Sequence, residues 1–158
     1  MIALLITGLL FTGNAFGRGK KINRSELPPA VESTVESHSR GGRVERLSLE
    51  RANGEIYYKA KMKVDGHRKD VVINPTGDVE RVQEQVALDS LPENVKAGIK
   101  AKSGFLGRVA SVESIKKRDK VVAYEAEVEK PIFFVPGATV TKSTVQVDPD
   151  GKPLKRKE

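Results

Sequence analysis

The sequence predicts an α+β protein built from two tandem copies of one unit, each a helix packed on an antiparallel meander of three or four strands. Three observations predict this fold: an internal repeat, strict alternation of apolar and polar residues in strand-like segments, and glycine-containing turns between those segments. The 158 residues are 38% hydrophobic and 31% charged, a composition typical of folded soluble proteins. With five Phe, three Tyr and no Trp, the core must consist mainly of smaller aliphatic residues.

The second half of the chain repeats the first, at a spacing of 64 to 66 residues over most of its length. Each copy begins with Leu-Pro, passes through glycine into a strand with a central Tyr, and ends at an (Asn/Asp)-Pro-x-Gly turn. The corresponding segments are 27–28 and 91–92, 42–44 and 107–109, 58–62 and 124–128, and 74–77 and 148–151. We assign 25–88 to repeat 1 and 89–158, which ends in a basic C-terminal tail, to repeat 2. Because a unit of about 60 residues buries too small a fraction of its surface to be comfortably stable alone, we expect the copies to share a core.

Each copy is predicted to open with a helix, since proline is favoured in a first helical turn and glycines follow the helical pattern. In the second copy Ser90 and Glu93 have the spacing of a capping box. The segment 56–64 alternates strictly and is bounded by Asn-Gly and Asp-Gly, which favour tight turns. The alternation indicates a half-buried antiparallel strand.

Residues 1–17 are predicted to be a signal peptide. They are uncharged and contain an apolar run of secretory length, followed by small residues suited to cleavage after Ala15 or Gly17. Residues 18–24 are then a basic flexible segment. The mature protein is expected to be periplasmic or secreted and to contain no membrane span; an uncleaved anchor is the alternative.

The residues that support catalysis or metal binding are sparse. There is no cysteine, which excludes disulfides, thiolate metal sites and Cys nucleophiles. His38 and His67 lack metal-ligand spacing, and no G-x-S-x-G motif marks a nucleophilic serine. We therefore expect no enzyme activity and no metal site.

The formal net charge of +7 raises the question of a polyanionic partner. Nucleic acid is not expected, because the protein is predicted to be exported and few aromatic residues accompany its basic ones. Two interpretations remain open: a solvated basic surface, or attraction to anionic polymers of the cell surface.

Two strand segments carry opposite charge at equivalent positions of the repeat. The alternation places Tyr57 and three lysines on the sheet face away from the helix, and three glutamates on the same face of the other copy. The charged residues are Lys59, Lys61, Lys63, Glu125, Glu127 and Glu129. They form either two solvated strand faces or a binding surface with a positive and a negative half that orients a charged partner.

The second copy has eight extra residues between its central strand and its final turn, which predicts an extended hairpin over 130–143. The hairpin contains Phe133 and Phe134, which point to opposite faces of a strand. It either contacts a partner protein or a second copy of this chain, or folds back over the core.

With these motifs, the sequence resembles the PepSY-like proteins grouped with the β-lactamase-inhibitor-like (BLIP-like) fold, present in tandem over 25–155. The resemblance implies a periplasmic or secreted location, a helix on an antiparallel sheet in each copy, no cofactor, and a role in binding or inhibiting other proteins. The β-lactamase inhibitor has disulfides and this chain has no cysteine, so its target is not transferred. We expect an exported protein-binding module acting through the open sheet face, as an inhibitor or regulator of a peptidase or other envelope enzyme. The alternative is an envelope-associated structural protein that binds polyanions.

Overall fold

A computed structural model describes residues 19–132 and 140–154. These residues form two α-helices and one eight-stranded antiparallel sheet, in which the strands follow their order in the chain. The elements are β1 (Lys20–Ile22), α1 (Pro29–His38), β2 (Gly42–Ala52), β3 (Glu55–Val64), β4 (His67–Ile73), β5 (Val79–Val86), α2 (Glu93–Ser103), β6 (Arg108–Lys117), β7 (Lys120–Pro131) and β8 (Val140–Val147). The α+β fold predicted from the sequence is confirmed. The predicted signal peptide (1–17) lies outside the described residues, as do Phe133 and Phe134.

The alternation of strand β3 is confirmed. Ala60 and Met62 are buried, while Lys61 and Lys63 between and beside them are exposed. The preceding turn contains Asn53 with a φ of 52°, a left-handed conformation that Asn tolerates better than most residues. The period of two and the turn chemistry therefore set the register of this hairpin.

Both helices cover the same face of the sheet. On β5, Val82 belongs to the core under α1 and Val86 packs against the core under α2. Residues four apart on a strand point to the same side, so the two cores lie on one side of the sheet. We call the other side, which neither helix covers, the open face.

Each half has its own core. Val31 and Val35 of α1 are fully buried against β2, β3 and β4, whereas Val95 and Ile99 of α2 pack on β6, β7 and β8 in a second cluster. The expectation of one shared core is wrong in this respect. The halves are joined instead by the sheet, because β5 pairs with β4 on one side and with β6 on the other.

Strand β1 corrects the prediction of a flexible segment at 18–24. Ile22 pairs with Leu47 of β2 and is only 6% exposed, so the segment is fixed by an apolar contact. In the second half, Val86 of β5 pairs with Val112 of β6 at the corresponding place in the repeat. Strand β1 thus occupies in the first half the position that β5 occupies in the second.

The predicted capping box at Ser90 and Glu93 does not form. A short 3-10 helix, Leu88–Ser90, precedes α2, and Ser90 Oγ donates a hydrogen bond to the carbonyl oxygen of Ala87 at 2.7 Å. Glu93 Oε1 instead lies 2.5 Å from Lys96 Nζ. The N-cap of α2 is Pro92, so Ser90 lies two residues before the position that a capping box requires.

The (Asn/Asp)-Pro-x-Gly turns attach each helix to its sheet. Thr34 Oγ1 of α1 donates to the carbonyl oxygen of Gly77 at 2.7 Å. In the second half α2 has Gly98, whose backbone approaches Gly151 so closely that an added Cβ would lie 2.0 Å from the Gly151 carbonyl oxygen. The two turns therefore serve the same packing role through different contacts.

Candidate binding face

The open face contains two adjoining grooves lined by charged and polar side chains. The first, of about 390 Å³, is lined by residues that include Lys59, Lys61, Asp70 and Glu113. The second, of about 600 Å³, has Lys63 on one wall and residues of β7 and β8 on the other. Arg68 lines both grooves, so they meet at the middle of the sheet. The face brings residues of the two halves together.

The three lysines of β3 lie on the open face, as the alternation predicts, but they differ in accessibility. Lys59 has a side chain that is 15% exposed, with Nζ 3.1 Å from Oδ2 of Asp70. Lys61 is 50% exposed and lies 3.8 Å from the same oxygen. Lys63 is exposed and reaches the larger groove. Lys61 and Lys63 are therefore the lysines that a partner can reach.

The three glutamates of β7 also lie on the open face, each with a partner in its own half. Glu125 accepts a hydrogen bond from Gln146. Lys142 Nζ lies 2.8 Å from Oε1 of Glu127, and Arg108 Nη2 lies 2.9 Å from Oε2 of Glu129. The negative half of the face is partly neutralised by these cations.

The electrostatics of this row follow from the same contacts. Hydrogen bonding to Arg108 and the nearby charge of Lys142 hold the pKa of Glu129 below its ordinary value. The hydrogen bond to Glu127 raises the pKa of Lys142. The sequence analysis missed both cations, because Arg108 and Lys142 reach Glu129 from the two strands that flank β7 and only the register reveals it.

A half-buried charge, that of Arg81 on β5, lies at the middle of the open face. Burial lowers the pKa of Arg81, while the carboxylates of Glu50, Asp70 and Glu125 act in the opposite direction. Glu50 is 7% exposed, and its Oε2 has no hydrogen-bond partner within the described residues. Val72, opposite Arg81, is fully buried although no helix covers this face. Long neighbouring side chains must therefore cover it.

Tyr57 also lies on the open face, opposite Glu50 on β2. Its hydroxyl donates to Oε2 of Glu55 at 2.5 Å, and this hydrogen bond raises the pKa of Tyr57 to about 12. The phenol stays neutral at any physiological pH and can serve a partner as a hydrogen-bonding aromatic surface.

Comparison with solved structures identifies the fold. A candidate periplasmic protein from Bacteroides eggerthii superposes with a TM-score of 0.61 at 20% identity, covering 82% of this chain and 86% of that one. A BLIP-like protein from Bacteroides fragilis superposes with a TM-score of 0.55 at 18% identity, covering 83% and 86%. This chain has a BLIP-like fold. A DUF2874 family protein from Bacteroides uniformis shares it, with a TM-score of 0.57 at 16% identity over 82% and 87%.

The resemblance predicted from the sequence is thus confirmed as a BLIP-like fold. No family model matches the chain, and no curated protein matches it either. The motifs that carried the resemblance are the ones that build this fold: the glycine turns at 74–77 and 148–151 attach the helices, and the alternating strands form the sheet.

The second half of the BLIP-like fold has an apolar end. Strands β7 and β8 remain paired as far as Pro131 and Val140, which forms the base of the predicted hairpin. At the end of α2, Phe105 is fully exposed and Leu106 is about half exposed, whereas the first repeat has Arg40-Gly41 at these places. The sequence analysis missed Phe105, although the repeat comparison contains the difference.

Residues 19–132 and 140–154 contain no group of three or more His, Asp or Glu side chains placed to hold a metal ion. Neither helix in these ranges is long and apolar enough to cross a bilayer.

Proposed function

We propose that this chain is an exported, non-catalytic module that binds a partner protein through the open face. The observation that carries the proposal is the pair of grooves on the helix-free side, to which both halves contribute charged side chains. A concave, polar surface fixed on a continuous sheet suits recognition by shape and charge, since rigid strands hold the contact groups in place. The partner is a peptidase or another envelope enzyme, which the module inhibits or regulates.

Two features support export. Residues 1–17 have the composition of a signal peptide, and a protein of the same fold from Bacteroides eggerthii is named as a candidate periplasmic protein. Recovery of a mature chain that begins at Phe16 or Arg18 tests this part of the proposal; Met1 retained on membrane-bound material would overturn it.

The binding role is tested by blocking the larger groove without changing its charge. Ser111→Trp places a large neutral side chain between the groove walls. Ala97→Trp introduces the same side chain at an exposed position of α2, on the opposite side of the sheet. Both variants and the unmodified chain are used to capture partners from periplasmic extract of the source bacterium.

We expect the unmodified chain and Ala97→Trp to retain one and the same partner, and Ser111→Trp to lose it. Equal capture by all three proteins, with unchanged thermal unfolding, would show that the open face is not the binding surface. Capture of no protein by the unmodified chain would refute the binding function itself.

A second candidate function rests on the net charge of +7. An envelope-associated structural protein could bind polyanionic surface polymers through basic side chains. Salt separates the two functions, because attraction to a polyanion depends on exposed charges alone and is strongly screened, whereas the shape-complementary contacts of a protein interface persist. Loss of all binding to cell-surface polymers and to extract proteins at moderate salt favours this second function.

A further inference from the structure

Three cations stand in a row across the first half of the open face. Arg43 of β2 pairs in register with Lys63 of β3, and Lys63 pairs with Arg68 of β4. All three residues are exposed. Directly opposed residues on neighbouring antiparallel strands point to the same side, so the three positive side chains are nearest neighbours on one surface.

This row of like charges is unfavourable for the stability of the fold. Like charges directly opposite one another destabilise a sheet. Two anions lie beside the row: Glu45, 3.2 Å from Arg43, lines both grooves together with Arg68, and Glu113 lies 3.5 Å from Arg68. Both contacts involve side chains that are more than half exposed on the arginine side, where ion pairs contribute little. These exposed ion pairs offset the repulsion within the row only weakly, so the row remains a cationic surface.

The next row adds to the same surface. Arg46 of β2 is opposite Lys61 of β3, and both are exposed. Asp70 of β4 is opposite Lys61, but its carboxylate lies closer to Lys59, at 3.1 Å against 3.8 Å. The cationic side chains of the two rows outnumber the neighbouring carboxylates of Glu45, Asp70 and Glu113, so this part of the open face has an excess of positive charge.

The far wall of that groove selects between anionic partners. Glu127 and Glu129 line it; Glu127 pairs with Lys142 at 2.8 Å but keeps 40% of its side chain exposed, while Glu129 is held by Arg108 at 2.9 Å. A uniformly anionic polymer that filled the groove would meet these carboxylates, whereas a polypeptide can place carboxylates on one wall and a basic side chain on the other. The groove therefore favours a segment of mixed charge.

We propose that the row Arg43, Lys63 and Arg68 seats an acidic segment of the partner protein, with a basic residue of that segment directed toward Glu127. The inference rests on the proposed function of the open face and names the chemistry of its partner. Charge complementarity of this kind fixes the orientation of a bound segment and speeds its encounter.

The test is a titration with a synthetic peptide rather than with the unidentified partner. The probe is a fluorescently labelled decapeptide rich in Glu with a single Lys, followed by fluorescence anisotropy at low salt. Lys63→Glu is compared with Lys102→Glu, which makes the same charge change at an exposed position of α2. We expect at least a tenfold loss of peptide affinity in Lys63→Glu and less than a twofold change in Lys102→Glu.

A second readout separates binding from folding. Lys63→Glu replaces a row of three cations with an alternating row, so its midpoint of thermal unfolding should rise while its affinity falls. A fall in both quantities would mean that Lys63 has a structural role, and would overturn the proposal. Equal peptide affinity in the two variants would overturn it too.

Glu127→Gln distinguishes a protein segment from a polyanion. Removing this carboxylate should weaken binding of the Lys-containing peptide and strengthen binding of heparin fragments. Tighter binding of heparin than of the peptide to the unmodified chain would assign the row to a polyanion instead. The capture experiment with Ser111→Trp reports on the open face independently, so a failure of the charge inference and a failure of the binding function give different results.

Discussion

Arg68 in β4 and Glu113 in β6 form an ion pair of 3.5 Å across the intervening strand β5, and so connect the two halves of the molecule. The arginine side chain is 59% exposed, which places the pair in high dielectric. We expect Glu113→Gln to lower the free energy of unfolding by less than about 1 kcal/mol, as measured by urea denaturation.

Packing along β5 should contribute more than this pair. Val82 is 9% exposed and lies opposite Val71 of β4 and Lys116 of β6. Val82→Ala should cost about 1.5 to 3 kcal/mol, because it removes apolar burial from the strand that joins the halves. A larger loss in Glu113→Gln than in Val82→Ala would contradict this ranking.

The fragments of the chain should differ in stability according to which of them keeps β5. The fragment 19–87 contains every residue of the first core and all of β5. We expect it to fold cooperatively, with lower stability than the whole chain, because the edge of β5 that pairs with β6 becomes exposed.

The second half provides the matched comparison. Fragment 79–154 keeps β5, whereas fragment 88–154 lacks it and loses the contact of Val86 with the second core. Circular dichroism should show a cooperative unfolding transition for 79–154 and none for 88–154. Equal transitions in these two fragments would refute a structural dependence on β5.

Gly98 should not tolerate alanine. In the interior of a helix this change normally stabilises by up to about 1 kcal/mol. Here the new Cβ would lie 2.0 Å from the carbonyl oxygen of Gly151, so helix and turn must separate. We expect Gly98→Ala to destabilise by about 1 to 3 kcal/mol in urea denaturation, while Ser37→Ala at an exposed position of α1 changes stability by less than about 0.5 kcal/mol. Unchanged stability of Gly98→Ala would mean that the turn is free to move away.

The stability of the protein should decrease as pH falls below about 6.5, in part because of His38. Burial lowers the pKa of His38 from 6.5, and the charge of Lys69 acts in the same direction, opposed by Asp119 and Glu84. The unfolded chain therefore binds a proton at a higher pH than the folded chain, and protonation favours unfolding. Denaturation between pH 7 and 5 should show a shallower decrease for His38→Gln than for the unmodified chain. Parallel pH profiles would indicate that His38 is protonated in the folded protein as readily as in the unfolded one.

The parts of the fold that depend on local chemistry were predictable from the sequence. Strand β3 follows from its alternation, and its turn follows from Asn53-Gly54, because both signals lie within a few residues. Strand β1 was missed, since three residues with two lysines give no pattern until Leu47 of β2 provides the apolar contact. The separate cores were missed for a similar reason: the repeat shows that the halves are alike, but not which strand joins them.

The binding face was predictable only in part. The alternation places Lys61 and Glu127 on the side away from the helices, and the structure has them there. The row of Arg43, Lys63 and Arg68 depends on the register of three strands, including a bulge in β2 between Val44 and Arg46, which one sequence does not reveal. The binding role of these residues remains a prediction for experiment.

The equivalence of β1 and β5 makes the molecule extensible. The bridge between Val147 and Pro153 repeats the pairing of Ile73 with Val79, so the residues after β8 begin to pair with β8 as β5 pairs with β4. A duplication or deletion of one unit would change the sheet by four strands and leave every remaining strand with a neighbour. Evolution can therefore widen or narrow such a surface in fixed increments, and tune its charges separately, without altering how any single core is packed.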